Sequence, residues 1–200
     1  MRSEERLDRA VDLFWEKGYF DVSIDELVSR TGLHRAAVYG EFGSRHRLFE
    51  ASLRRYRERV VTVFFAELDR PDAGLAELER FFLAILRAAR RPKKRLGCLM
   101  VNTACEVSPR IRSVATIVAG FLDDLRTLMR KACVNARARG DARREIDVDE
   151  VADYLVGAVL GLWTLARSPA PASALPHYVR GVLTYLDGLR PSTAAAGERG

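Results

Sequence analysis

Side chains suited to contact with a polyanion are concentrated in residues 34–45. The guanidinium of Arg35 can bind a phosphate or the edge of a guanine base. The phenol of Tyr39 can donate to a phosphate oxygen, and Gly40 leaves the backbone open to close approach. These side chains could contact a nucleic acid if the elements around them present them together on one helix.

Two short helices joined by a glycine turn are predicted around this segment. Ser23 and Glu26 form a capping box, in which the hydroxyl accepts from a backbone amide and the carboxylate accepts from the Ser23 amide. The helix that begins there ends at Gly32, the residue type that most readily adopts a left-handed backbone. A second helix follows over about residues 34–42. This is a helix-turn-helix, whose second helix fits the major groove of double-stranded DNA.

The distribution of charge supports this interpretation. The chain has a net charge of +6, and residues 1–29 carry four Lys/Arg against eight Asp/Glu, whereas residues 30–59 carry eight against three. The sign of the charge therefore changes at the turn of the helix-turn-helix. We expect Arg35 to contact a base edge or phosphate and Tyr39 to contact phosphate. Other residues are expected to contact the sugar-phosphate backbone and position it: Ser23, Thr31, His34 and Arg45. The whole predicted DNA-binding set is Ser23, Thr31, His34, Arg35, Val38, Tyr39, Gly40 and Arg45.

The same stretch resembles the DNA-binding domain of the TetR/AcrR family of bacterial transcriptional regulators. The resemblance covers about residues 5–65 and depends on the order of a few short motifs. These motifs are Ser23, Leu27-Val28, Gly32, Tyr39 with Phe42, and Gly43-Ser44-Arg45. Gly40 and Glu41 depart from the family pattern, so the operator sequence does not follow from it.

Helical periodicity continues along the rest of the chain, and no strand pattern occurs. An amphipathic support helix is predicted at residues 3–17, and a long connector helix runs from Ser44 to Leu68. Further helices are predicted after Gly74, at 98–106, 111–140, 148–166 and 175–189, with a basic loop at 90–95. We therefore predict an all-α fold. Its expected parts are an N-terminal three-helix helix-turn-helix domain (1–47), a C-terminal helical ligand-binding and dimerisation domain (48–190) joined through the connector helix, and a disordered tail (191–200).

The last two predicted helices, 148–166 and 175–189, are apolar around more of their circumference than a helix that buries only one face. Gly157 and Gly161, with the spacing Gly-x-x-x-Gly, allow another helix to approach closely, although this spacing can also reflect packing within one chain. The family resemblance implies that residues 148–189 form a four-helix interface in a homodimer.

Polar residues lie among apolar ones in residues 97–106, where Asn102, Thr103 and Glu106 are either internal hydrogen-bonding groups or fixed points of a ligand pocket. The resemblance favours the pocket, because relatives bind small effectors in this domain. The predicted ligand-binding set is Phe65, Phe82, Cys98, Asn102, Thr103, Cys105, Glu106, Phe121 and Trp163.

Cys98 and Cys105 are expected on one face of a short helix beside this pocket. An electrophile could modify them and thereby release DNA. The alternative is that each behaves as a small buried hydrophobe, since no Lys or His lies in the segment to lower a thiol pKa.

Other classes of protein lack support in the sequence. The three histidines are far apart and form no metal motif, and no nucleophile elbow, phosphate loop or dinucleotide motif occurs, so we predict no enzyme, metal or cofactor. An odd number of cysteines, a charged N-terminus and the absence of a membrane-length apolar run indicate a cytoplasmic protein without membrane contact.

We predict a homodimeric transcriptional regulator, a repressor released from a palindromic operator by a small-molecule effector. The alternatives are a thiol-based sensor of electrophiles or oxidants with the same fold, and a non-specific architectural DNA-binding protein. The acidic first helix and the large second core oppose the architectural protein.

Overall fold

The computed structural model describes residues 3–32, 34–90, 95–171 and 173–191. These residues form helices and contain no strand, so the predicted all-α class is confirmed. The helices are α1 Ser3–Lys17, α2 Ile24–Thr31, α3 Arg35–Phe42, α4 Arg45–Val60, α5 Ala66–Asp69, α6 Leu75–Ala89, α7 Leu99–Glu106, α8 Arg112–Arg139, α9 Val148–Arg167 and α10 Ala174–Asp187. No helix within this described part is long and apolar enough to cross a membrane.

The predicted caps define the helix-turn-helix. The Ser23 hydroxyl accepts from the Glu26 amide, and the Glu26 carboxylate accepts from the Ser23 amide, each at 3.2 Å. Gly32 ends α2 with a φ of 68°, a left-handed conformation that favours glycine. Ser44 begins α4 by accepting from the Arg47 amide at 3.1 Å. The local sequence therefore sets where α2 and α4 begin and where α2 ends.

The described residues fall into two compact units. Unit 1 comprises those within residues 1–63 and 92–123, and unit 2 comprises those within 64–91 and 124–200. The predicted domain ranges, 1–47 and 48–190, differ from these units and stay predictions about where each function lies. The predicted tail and most of the basic loop at 90–95 lie outside the described residues.

Unit 1 has an aromatic core between α1 and α4. The ring of Phe49 lies 4.8 Å from that of Phe14 and 4.7 Å from that of Tyr19, measured between centroids. At the edge of this core, Arg55 of α4 donates to the Asp8 carboxylate of α1 at 2.9 Å, which lowers the pKa of Asp8. The predicted support helix therefore packs along α4 and also contacts α2.

Unit 2 is built from α6, α9 and α10, with α5 and the C-terminal part of α8. Phe82 and Ile85 of α6 are buried, as are Leu155 of α9 and Leu186 of α10. At the surface, Arg126 of α8 pairs with two acidic residues of α9. The unit therefore has its own apolar core.

The predicted connector is helical but not α-helical throughout. Residues Val61–Phe65 form a π-helical segment between α4 and α5. The run Val60, Val61, Thr62 and Val63 is β-branched, and such side chains crowd the preceding turn of an α-helix. We attribute the change of helix type to this run.

Candidate nucleic-acid interface and effector segment

One face of α3 is exposed. Arg35, Ala36, Tyr39 and Gly40 are all exposed, and their spacing places them on neighbouring positions of the same side. Tyr39 is 49% exposed, so its ring and hydroxyl are accessible to a partner. Three of the predicted DNA-binding residues therefore share a surface that a DNA groove could occupy.

Two residues of the predicted DNA-binding set are buried instead. Val38 is 0% exposed and is the buried residue of α3. Thr31 is also 0% exposed, and its hydroxyl donates to the Leu27 carbonyl at 2.6 Å. The prediction that Val38 and Thr31 contact DNA is therefore wrong, because their side chains serve the packing and the internal hydrogen bonding of unit 1.

Arg35 forms an ion pair with Asp25 of α2. Both side chains are largely exposed, at 60% and 80%, so the pair is open to solvent. A guanidinium has five N–H donors, and the bond to Asp25 uses the Nη2 group. Asp25 can therefore orient Arg35 while donors remain for DNA.

Arg45 has a structural role that the sequence did not predict. Its Nη1 donates to the carbonyls of Tyr19 and Val22 at 2.6 and 2.8 Å, and its guanidinium lies 4.2 Å from the centroid of the Tyr19 ring. These contacts hold the start of α4 against the segment that leads into α2. A contact between Arg45 and phosphate stays a prediction.

The remaining predicted residues flank α3. His34 is the exposed N-cap of α3, and its side chain makes no capping hydrogen bond. Ser23 is exposed while its hydroxyl caps α2. The predicted set does not include Ala36, which lies one turn before Gly40 on the exposed face of α3. The sequence signal for it is the spacing of four between these two small residues, which places them on the same side of a helix.

The two thiols predicted to share a face differ in exposure. Cys98 is buried at the N-cap of α7, whereas Cys105 near its end is exposed. Burial raises the pKa of the Cys98 thiol, although a hydrogen bond with Tyr56 acts in the opposite direction. The two thiols therefore differ in their access to an electrophile, and a thiol with a raised pKa forms little of the reactive thiolate.

Two polar residues of the α7 segment have partners within unit 1. The Asn102 side-chain amide donates to the Leu96 carbonyl at 2.8 Å, and the Glu106 carboxylate accepts from the Tyr19 amide at 3.0 Å. Both side chains are thus internal hydrogen-bonding groups, the first of the two roles that the sequence allows for them. Thr103 and Phe121 are buried, at 1% and 3% exposure. Ligand binding by these residues stays a prediction.

The predicted ligand-binding aromatic residues of unit 2 belong to two clusters. Phe65 and Phe82 both pack against Phe81, with ring centroids 6.3 and 5.6 Å apart. Trp163 of α9 lies edge-on to Phe64 at 6.3 Å. Phe65 and Phe82 therefore share a neighbour in the core of unit 2, whereas Trp163 packs on a different ring.

A surface cleft of about 440 Å³ lies near the C-terminal end of α8, and its lining includes none of the predicted ligand-binding residues. It is lined by Val134, Arg137, Ala138 and Arg144. Within the part of the chain that the structure describes, no group of three or more His, Cys, Asp or Glu residues could hold a metal ion.

The two glycines of α9 have different surroundings. A Cβ atom added at Gly161 would lie 2.4 Å from the Tyr178 hydroxyl of α10, whereas one added at Gly157 would meet nothing within 4 Å. Gly161 therefore serves packing within the chain, and Gly157 leaves an open position on the surface of α9.

Comparison with known proteins identifies the family. Residues 7–52 match the family model described as bacterial regulatory proteins, tetR family, and residues 74–182 match the tetracyclin repressor-like C-terminal domain. The HTH-type transcriptional repressor ComR of Escherichia coli (strain K12) is 31% identical over 171 residues, which cover 84% of this chain and 81% of ComR.

Solved structures agree with this assignment. A TetR transcriptional regulator from Chloroflexus aurantiacus J-10-FL has a TM-score of 0.82 and 27% identity, and the match covers 92% of this chain and 93% of that one. A cysteine mutant of the regulator CifR, complexed with 26-bp double-strand operator DNA, has the same fold, with a TM-score of 0.82, 22% identity and coverage of 92% and 96%.

The family resemblance predicted over about residues 5–65 is thus confirmed, and the match extends beyond it to residues 74–182. Its helix-turn-helix lies within the matched N-terminal model, and its later helices lie largely within the matched C-terminal model. The chain belongs to the TetR family and is a DNA-binding transcriptional regulator.

Proposed function

We propose that this protein is a homodimeric repressor that binds a pseudo-palindromic operator through α3 and is released by a small-molecule effector. The exposed face of α3, with Arg35, Tyr39 and Gly40, carries the DNA part of the proposal. ComR is a transcriptional repressor, and CifR is held on double-strand operator DNA, which supports the same activity here.

The symmetry of a homodimer determines the form of the operator. Two identical reading helices related by a two-fold axis require two half-sites of inverted sequence. The half-sites should lie about 34–36 Å apart, one helical turn of DNA, or a multiple of that distance. The operator is therefore expected to be palindromic around its centre.

Selection from a pool of random DNA duplexes tests this proposal. The protein is incubated with the pool, bound duplexes are amplified over several rounds, and the enriched sequences are compared. An enriched inverted repeat supports the proposal, and footprinting on the DNA upstream of the protein's own gene then locates it in the genome. Enrichment of no sequence, or of one without symmetry, would contradict it.

Substitutions on α3 are expected to weaken binding to the selected duplex. Arg35→Ala should cost about 1–3 kcal/mol and relax the preference at one base pair, if the guanidinium reads a guanine. Tyr39→Ala should weaken binding to all sequences similarly, because a phosphate contact carries no sequence information. Affinity is measured by fluorescence anisotropy with labelled duplexes.

Exposed residues outside the helix-turn-helix provide matched controls. Arg87→Ala removes the same charge from α6, and Leu83→Ala removes an exposed apolar side chain from that helix. Both controls should retain wild-type affinity. Wild-type affinity in Arg35→Ala and Tyr39→Ala as well would remove α3 from the proposed interface.

The effector part of the proposal depends on the α7 segment and the predicted ligand-binding residues. Thr103 is buried, as are the apolar residues Leu99, Met100 and Val101 of α7. Polar groups that line a pocket fix the orientation of a ligand. Because burial raises the pKa of Cys98, we favour a reversible ligand over modification of this thiol.

Replacement of Thr103 by valine is expected to weaken the response to an effector while leaving operator binding intact. A library of small organic compounds is screened for release of the wild-type protein from the selected duplex. A compound that releases the wild type should act about tenfold more weakly on Thr103→Val, a loss of about 1.4 kcal/mol. Thr164→Val, an exposed threonine of α9, is the control. An equal response of Thr103→Val and wild type would contradict the role of Thr103.

A further inference from the structure

We propose that Glu106 is a positioning residue for DNA reading, because its carboxylate anchors the turn that leads from α1 into the helix-turn-helix. This inference rests on the proposed function, since it concerns the orientation of the same DNA-contacting surface. Glu106 is the last residue of α7, and the turn comprises Gly18, Tyr19 and Phe20.

The contact joins parts of the chain that are distant in sequence. One carboxylate oxygen of Glu106 accepts from the backbone amide of Tyr19 at 3.0 Å and from that of Phe20 at 3.4 Å, across 87 and 86 residues. A carboxylate that accepts from backbone amides forms charge-assisted hydrogen bonds, which are stronger than neutral ones. Glu106 therefore fixes the backbone of the turn rather than a side chain.

Gly18 makes room for this carboxylate. Its φ is +86°, a left-handed conformation that glycine adopts without strain, and a Cβ atom there would lie 2.8 Å from both Glu106 oxygens. Any side chain at residue 18 would thus have to displace the carboxylate. Glycine, which directly follows α1 at residue 18, is therefore the residue type that permits the contact between Glu106 and the turn.

The anchored turn is connected to the start of α2. Arg45 donates to the carbonyls of Tyr19 and Val22, and Val22 directly precedes Ser23, the N-cap of α2. The Tyr19 ring packs against Phe49 of α4 at 4.7 Å. A displacement of the turn would therefore move the first residue of the helix-turn-helix relative to α4.

Two neighbouring contacts join the same region. The Arg110 guanidinium lies 5.1 Å from the centroid of the Phe20 ring, and the Ser113 hydroxyl lies 3.0 Å from Nε2 of His46 in the first turn of α4. Residues 106–113 thus contact both the turn and α4. Glu106 is the member of this group that binds backbone, so it defines the position of the turn most directly.

Three variants of Glu106 separate positioning from general stability. Glu106→Gln keeps a carbonyl oxygen that can accept from the two amides, Glu106→Asp shortens the side chain by one methylene, and Glu106→Ala removes the acceptor. Asp123→Ala, which removes an exposed carboxylate from α8 within unit 1, is the matched control. Each variant is first shown to be folded at the assay temperature by its circular dichroism and unfolding midpoint.

Two measurements are made on the full chain. The first is affinity for the duplex that the wild-type protein selects, relative to a scrambled duplex. The second is hydrogen exchange of the Tyr19 and Phe20 amides without DNA. In Glu106→Ala both amides should exchange faster, and the preference for the selected duplex should fall about tenfold, equivalent to about 1.4 kcal/mol. Glu106→Asp and Glu106→Gln should both be intermediate, because the first shortens the side chain and the second removes its charge, and Asp123→Ala should stay near wild type.

The outcomes separate this inference from the proposed function. Unchanged amide exchange in Glu106→Ala would show that the contact does not protect the turn, and would overturn the inference. Faster exchange with an unchanged preference for the selected duplex would overturn the positioning role while leaving the proposed function intact. A wild-type protein that selects no duplex would overturn both.

Discussion

Replacement of Phe49 by alanine should lower the free energy of unfolding of this protein by about 3–5 kcal/mol, the range for a large aromatic residue removed from a core. Phe49 is 0% exposed and contacts the rings of both Phe14 and Tyr19. The truncated side chain leaves a cavity between α1 and α4 that the surrounding rings cannot fill without losing their own contacts. Chemical unfolding followed by circular dichroism measures the loss.

An exposed aromatic residue of the same unit is the control for this prediction. Phe20 is 46% exposed and contacts Arg110 at the surface, so Phe20→Ala should cost about 1 kcal/mol or less. Phe49→Ala should also weaken operator binding, because the same core supports α3 through α4. A cost for Phe49→Ala no larger than that for Phe20→Ala would show that α1 and α4 do not form the described core.

Local sequence was sufficient where a helix end depends on its own residues. The capping box of Ser23 and Glu26 uses atoms three residues apart, and Gly32 adopts the left-handed backbone that its residue type favours. Such features depend little on the rest of the chain. They were therefore predicted with correct positions, and they placed the helix-turn-helix correctly.

Assignment of exposed and buried residues within α2 and α3 was less successful. Each of these helices has only eight residues, so its apolar pattern covers about two turns and defines its faces poorly. The sequence therefore predicts DNA contacts for Val38 and Thr31, although both are fully buried. For Thr31 there is a second reason. Its hydroxyl donates to the carbonyl of Leu27 within the same helix, so it is not available to a phosphate.

Contacts between distant residues were outside the reach of sequence patterns. The sequence leaves Glu106 as either an internal hydrogen-bonding group or a ligand-pocket residue, whereas its partners in the structure are backbone amides 86 and 87 residues away. Nothing in the type or spacing of these residues indicates such a contact. Arg45 is similar, since the carbonyls that it binds belong to a turn whose position depends on the tertiary fold.

The surface of unit 2 around Gly157 supports the proposed homodimer. Gly157 is exposed, and a Cβ atom added there would have no neighbour within 4 Å; Gly181 of α10 is equally open. The Tyr154 side chain, one turn before Gly157, is 46% exposed and lies 4.2 Å from the Tyr185 ring of α10. Small residues beside exposed aromatic ones offer both close approach and apolar area to a second copy of the chain.

Substitution of Gly157 by arginine is therefore expected to convert the protein into a folded monomer. Arginine favours the helical conformation by roughly 0.8 kcal/mol more than glycine, and the space around residue 157 within the chain is empty, so the fold of α9 should not suffer. In a dimer the guanidinium would lie in the interface without a partner and with a large desolvation cost. Loss of the second half-site contact should weaken operator binding by about 100-fold or more.

Light scattering coupled to size-exclusion chromatography measures the mass of the variant, and anisotropy measures its affinity for the selected duplex. Ala76→Arg adds the same side chain at an exposed position of α6, outside the proposed interface, and should remain dimeric with wild-type affinity. If Gly157→Arg is still a dimer at micromolar concentration, α9 does not form the interface around this residue. If it is a monomer with unchanged operator affinity, DNA binding does not depend on the dimer, and the requirement for paired half-sites fails with it.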